Sequence, residues 1–132
     1  MATYKEIKGV TVQTLDSDPV LNVGSWSSGG SMNVAKYMFG GNGTQTAALA
    51  SGGVTPAGLN RAESEEYDGS SWTEGNDLNT GRYGNRNSGT QTAALTISGK
   101  TYPPGASLAN VESYDGSSYT EVGDVNTGRI NA

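Results

Sequence analysis

The 132-residue sequence contains no cysteine and no histidine. Without cysteine, a disulfide framework, a thiolate nucleophile and a Cys-ligated metal are all excluded. The lack of histidine removes the commonest general base and the commonest metal ligand. These two absences favour a protein that is not an enzyme and that carries no cofactor.

Charged residues are also scarce, at 16% of the chain, with a net charge of −5 and a pI near 4.5. A nucleic-acid surface needs a basic patch, so nucleic acid is not an expected partner. No stretch approaches the length of a membrane span and the N-terminus has no apolar signal-peptide region, so we expect a soluble protein made in a cytoplasm. The mild net charge argues against disorder despite the low apolar content.

What the sequence does contain is internal repetition. GTQTAAL occurs at 43–49 and again at 89–95, and Tyr-Asp-Gly-Ser-Ser plus an aromatic occurs at 67–72 and 114–119. A third pattern places an apolar residue six positions after an aromatic, and a cation four positions later: Trp26, Met32 and Lys36; Trp72, Leu78 and Arg82; Tyr119, Val125 and Arg129. A fixed period of this length predicts a supersecondary unit that stacks on its neighbours.

Each repeat is predicted to contain four short strands. Strand A covers 37–39 and 83–85, strand B 43–51 and 89–98, strand C 63–67 and 111–114, and strand D begins at Trp72 and Tyr119. Gly40-Gly41-Asn42-Gly43 is interpreted as the turn between strands A and B. Asp-Gly predicts a two-residue type I′ hairpin turn at Gly69 and Gly116, because that turn requires positive φ. Regular turn signals without helical periodicity predict an all-β protein.

The repeats define the expected domain organisation. The repeat region spans 25–132, with repeats at about 36–81 and 82–128 and an orphan D strand at 25–34 that begins with Trp26. Residues 1–24 lie outside the repeats. They are interpreted as an N-terminal anchor containing a strand or hairpin and a turn near Pro19.

The order of these features, from the Gly-flanked apolar strand through Tyr-Asp to Trp and Arg, resembles the kelch repeat over residues 25–129. That resemblance implies four-stranded β-propeller blades. The sequence of the segments GTQTAAL, EYDGSSW and LNTGR is similar to that of segments in kelch-like proteins from marine tailed phages. It implies a non-enzymatic virion structural protein of the tail, a fibre or the head surface, with residues 1–24 binding other virion proteins.

A closed propeller typically needs four to eight blades, whereas this chain has two and a spare strand. We therefore expect homo-oligomerisation, with a trimer that closes six blades favoured. Docking of the two blades on another virion protein and a short solenoid are the alternatives.

The recurring aromatic and cationic residues have structural and functional interpretations. Trp26, Trp72 and Tyr119 are expected to pack between blades rather than to stack on sugars. Lys36, Arg82 and Arg129 are expected to pack their stems between blades and to bond loop carbonyls rather than a ligand anion. The carboxylates Glu63, Glu65 and Glu66 are interpreted as solvent-facing strand residues rather than a cation site or a glycosidase pair.

The loops at 54–60 and 100–109 differ in sequence while the strands repeat, which is typical of recognition loops on a rigid scaffold. Their candidate recognition residues are Pro56, Asn60, Tyr102, Pro103 and Pro104. Two alternative functions remain open: a lectin-like adhesin that binds host-surface glycan, and a cytoplasmic kelch-type adaptor.

Overall fold

The computed structural model describes residues 25–131, so the predicted anchor at 1–24 lies outside the described residues. Eight strands follow one another: β1 (Gly40–Thr44), β2 (Ala47–Ser51), β3 (Ser64–Tyr67), β4 (Trp72–Glu74), β5 (Arg86–Thr90), β6 (Ala93–Ile97), β7 (Val111–Tyr114) and β8 (Tyr119–Val122). No helix occurs among residues 25–131. The all-β prediction is confirmed.

The strands form two four-stranded antiparallel sheets, ordered β1-β2-β3-β4 and β5-β6-β7-β8. We call them blade 1 and blade 2. Their registers match: Ala48 pairs with Tyr67 in blade 1, and Ala94 pairs with Tyr114 in blade 2. Identical sequence segments therefore fold into equivalent positions. The two sheets fit the expected blade-like units.

The strand A and strand B predictions were wrong in register. Each GTQTAAL segment forms a hairpin, with its Gly-Thr ending one strand and its Ala-Ala-Leu in the next. Gly43 has a φ of +110°, and a Cβ there would lie 2.8 Å from the Cα of Ala48, which a side chain cannot tolerate. Instead of forming strand A, Tyr37 and Tyr83 make isolated bridges.

The Asp-Gly segments join strands C and D as expected, but not through type I′ turns, because neither Asp68 nor Asp115 has the positive φ that this turn requires at both central residues. Asp68 Oδ1 accepts hydrogen bonds from the backbone N–H groups of Ser70 and Ser71, both at 2.8 Å. This side-chain cap supports a longer turn than the dipeptide rule predicts. The positive φ is confirmed, at +96° for Gly69 and +89° for Gly116.

The apolar core is small and lies mainly between the two blades. Leu49 of blade 1 and Leu78, which follows β4, meet three residues of blade 2, namely Ala94, Tyr114 and Tyr119. The rings of the two tyrosines stack with centroids 4.5 Å apart. Because each blade contributes one side of the core, neither sheet buries its apolar residues alone.

Candidate functional site: the blade junction and two open faces

The linker between the blades, residues 75–85, carries a buried ion pair. The guanidinium of Arg82 contacts the carboxylate of Glu112 on β7, and both side chains are fully buried. Arg82 Nη1 also donates to the carbonyls of Ser98, at 3.1 Å, and Asn110, at 2.9 Å. Burial lowers the pKa of Arg82 below its ordinary value, and the Glu112 carboxylate opposes that shift.

The same carboxylate holds the linker backbone. Glu112 Oε2 accepts from the Asn79 N–H at 2.7 Å and from Asn79 Nδ2 at 3.0 Å. Its Oε1 accepts from the Thr80 N–H at 3.3 Å. One buried carboxylate therefore fixes the position of the linker on blade 2, with every partner a donor.

Blade 1 repeats this arrangement with a lysine. Glu65 Oε2 accepts from the Asn33 N–H at 2.7 Å and from Asn33 Nδ2 at 3.1 Å, and Lys36 Nζ lies 3.5 Å from Glu65 Oε1. Lys36 Nζ also donates to the Glu63 carbonyl at 3.1 Å. Burial lowers the pKa of Lys36, while Glu65 opposes the shift.

The interpretation of Glu65 as solvent-facing was therefore wrong, since the residue is fully buried. Sequence reasoning missed the pairing because the cation lies far upstream in the chain. A signal was present: an Asn, followed three positions later by a cation, precedes Glu65 by 32 residues and Glu112 by 33.

A third copy of the linker follows blade 2, with its cation exposed. Arg129 Nε donates to the Thr127 carbonyl at 3.4 Å, as Arg82 Nε donates to the Thr80 carbonyl at 3.1 Å. Within residues 25–131, no carboxylate forms an ion pair with Arg129. The third linker has the local shape of the second but not its carboxylate.

A glutamine joins the two blades at the other end of the junction. Gln91, in the β5–β6 turn, donates through Nε2 to the carbonyls of Ala48, at 3.1 Å, and Tyr67, at 2.8 Å. Nearby, the Tyr114 hydroxyl donates to Glu66 Oε1 at 2.5 Å. Burial and this carboxylate raise the pKa of Tyr114. The two blades are therefore joined by directional hydrogen bonds as well as by apolar contacts.

The three recurrent aromatic residues are not equivalent. Tyr119 is buried at 7% exposure and stacks on Tyr114, whereas Trp72 is half-buried against Tyr67 with centroids 5.1 Å apart. Trp26 is fully exposed, and residues 25–34 contain no strand. The predictions of an orphan D strand at 25–34 and of Trp26 packing between blades are therefore wrong for this chain. No described residue gives Trp26 the tyrosine partner that the other two have.

The predicted recognition loops meet at one end of the blades. Asn60 Nδ2 donates to the Tyr102 carbonyl at 2.9 Å, and Tyr102 is 61% exposed. A cavity of 180 Å³ lies between the loops and is lined by Tyr37, Met38, Val54, Gly58, Tyr83 and Tyr102. The other candidates, Pro56, Pro103 and Pro104, are exposed in the same loops.

Over residues 25–131, no group of three His, Cys, Asp or Glu side chains could hold a metal ion. The same part of the chain contains no helix that could cross a membrane. A scan of protein-family models and a search of curated proteins found no match to this chain. The candidate site consists of the junction between the two blades, which has both polar and apolar contacts, and of the outer face of each blade.

Proposed function

We propose that this chain is a non-enzymatic structural protein of a phage virion, in the tail, a fibre or the head surface. It uses its blades as an interaction scaffold. The observation that carries the proposal is a contrast between equivalent leucines: Leu49 is 1% exposed beneath blade 2, whereas Leu95 is 40% exposed. A face that is built like a junction but left uncovered is typical of an interaction surface.

The buried charges support a scaffold rather than a reaction. Glu65 and Glu112 are the fully buried carboxylates of the described residues, and each is bonded to a linker cation and a linker asparagine. A catalytic carboxylate must instead reach a substrate. The assignment to a virion rests on the resemblance of the repeat sequences to those of phage kelch-like proteins.

The virion assignment can be tested on purified particles of a phage that carries this gene. Mass spectrometry of washed particles should detect the protein, and labelling with antibody should place it on the tail, a fibre or the head. Deleting residues 1–24 should leave the blades folded but remove the protein from particles. Detection in infected cells but never in particles would contradict the proposal.

The tyrosine-lined cavity favours a second candidate, a lectin-like adhesin. Tyr37 and Tyr102 are 50% and 61% exposed beside it, and exposed aromatic rings stack on sugars. Binding of glycans from the host surface should then saturate and should be lost in Tyr102→Ala. Leu59→Ala, an equally exposed apolar residue of the facing loop, is the matched control. Equal binding by both variants would reject the adhesin.

A further inference from the structure

The outer face of blade 2 is an incomplete copy of the junction between the blades. Leu95 and Val122 are 40% and 41% exposed on it, although Leu49, at the repeat position of Leu95, is 1% exposed. A cavity of 290 Å³ lies beside Leu95, next to the paired residues Ala94 and Tyr114. In blade 1, the equivalent pair is Ala48 and Tyr67, whose carbonyls accept from Gln91.

The outer face of blade 1 carries the other half of such a junction. Ala48, Tyr67 and Trp72 are half-buried there, whereas their counterparts in blade 2 are buried at 4%, 2% and 7% exposure because blade 1 covers them. Gln45 occupies the turn position that Gln91 has in blade 2, and it is exposed. One end of the molecule thus offers the donor glutamine and the other end its acceptors.

Building on the proposed structural role, we propose that blade 1 of a second copy of this chain docks on the outer face of blade 2. The contact continues the geometry of the internal junction. Gln45 of the second copy donates to the carbonyls of Ala94 and Tyr114, and its Tyr67 face covers Leu95. The two ends are different surfaces, so the contact is head-to-tail, and repetition closes a ring when the rotation permits.

The position of the linkers adds a condition to this docking. Residues 33–36 of one copy and 126–129 of the other are the same repeat element, so both cannot occupy the site at Glu65. Arg82 at the internal junction makes three hydrogen bonds to backbone carbonyls in addition to its ion pair, whereas Lys36 makes one. Arginine donates through a planar fork that lysine lacks. Arg129 of one copy therefore replaces Lys36 of the next at Glu65.

This exchange makes residues 33–36 a removable cover. Gly29 and Gly30, which lie against Tyr67 and Ser70, must leave the docking face together with it. In the free chain the cover satisfies Glu65, which would otherwise be a buried carboxylate without a partner. In the assembly Asn126 and Arg129 take over its bonds. Weakening the cover should favour association, and weakening its replacement should oppose association. A surface that associates only through non-specific apolar contacts would not show these opposite effects.

The test is the mass of the full chain in solution as a function of concentration, measured by sedimentation velocity. Gln45→Glu places a carboxylate against two carbonyls and should weaken association about tenfold or more. Arg129→Ala should weaken it similarly. Asn33→Ala, which removes two side-chain bonds of the cover, should strengthen it several-fold. Ala57→Glu adds the same charge on an exposed loop and should leave association unchanged.

Rings of two to four copies would contain four to eight blades, the usual range for closed propellers. At concentrations where both proteins are monomeric, circular dichroism and thermal unfolding should be the same for Gln45→Glu and the wild type, because Gln45 is exposed. A chain that stays monomeric at millimolar concentration overturns the proposal, as does association that Gln45→Glu and Arg129→Ala leave intact. Detection in virions together with a strict monomer would reject this docking while leaving the proposed function standing.

Discussion

Glu65 and Glu112 occupy the same position of successive blades, and each is buried beneath the linker that leads into its own blade. Each carboxylate receives the backbone N–H and the side-chain amide of one asparagine, and each faces a cation three residues further on. The linker is thereby fixed to the sheet that follows it. We call each such set of bonds a clamp, and the clamp at Glu112 holds the linker from blade 1 on blade 2.

Removing one charge of this clamp should be costly. Glu112→Gln leaves the guanidinium of Arg82 buried without a counter-charge, and breaking a buried pair in this way typically costs about 3–5 kcal/mol. Chemical denaturation should show that loss in the free energy of unfolding. The matched control is Glu74→Gln, on an exposed strand residue, which should change stability by less than about 0.5 kcal/mol. A similar small change in Glu112→Gln would contradict the clamp.

The recurrent aromatic positions should differ sharply in their contribution to stability. Tyr119→Ala empties a buried site in the core and should cost about 3–5 kcal/mol, while Trp26→Ala should cost less than about 0.5 kcal/mol because its ring is fully exposed. Trp72→Ala should fall between them, since the ring is half-buried against Tyr67. Thermal and denaturant unfolding of the three variants gives the order, and equal losses would contradict it.

The sequence was sufficient to predict strands C and D of the two full repeats, because alternating residues and Asp-Gly turns are local signals, but not the absence of the D strand expected at 25–34. It misplaced strands A and B because GTQTAAL is rich in β-branched and small residues on both sides of its turn. The strand propensity of this segment therefore conceals the break at Gln45. The burial of Glu65 could not be predicted from local pattern either, since its partners come from a linker about 30 residues upstream.

The asymmetry between Leu49 and Leu95 was likewise beyond the sequence. Both leucines end the same GTQTAAL segment, so any local rule assigns them equal burial. Their difference arises from what covers each sheet. Repeats specify the shape of a unit, whereas the number of neighbours that a unit has is a property of the assembly.

The glycines in the strand C to strand D loops should tolerate no branched side chain. Gly69→Val and Gly116→Val place a β-branched residue at φ values of +96° and +89°, a strain of about 1–3 kcal/mol. A Cβ at Gly116 would also lie 3.0 Å from the Cβ of Thr92. Gly123→Val is the control, because its φ is not positive and nothing lies within 4 Å of a Cβ there. Melting temperatures that match the control for both loop variants would remove this assignment.

Acid should weaken the fold partly through the same loops. Backbone N–H groups of Ser71 and Ser70 lower the pKa of Asp68 below its model-peptide value of 3.8, and Ser118 and Ser117 lower that of Asp115. Between the folded pKa and 3.8 the unfolded chain binds more protons, so stability rises with pH in that window. The contribution is complete above 3.8 and is lost as the pH falls through the folded pKa.

Melting temperatures from pH 7 down to pH 2 measure this contribution. The double variant Asp68→Asn/Asp115→Asn keeps an acceptor oxygen in each loop but has no carboxyl to titrate, so its melting temperature should fall less steeply in acid than that of the wild type. Asp77→Asn, an exposed carboxyl outside both loops, should retain the wild-type profile. Parallel profiles for the double variant and the wild type would show that the two turn aspartates carry none of the acid sensitivity.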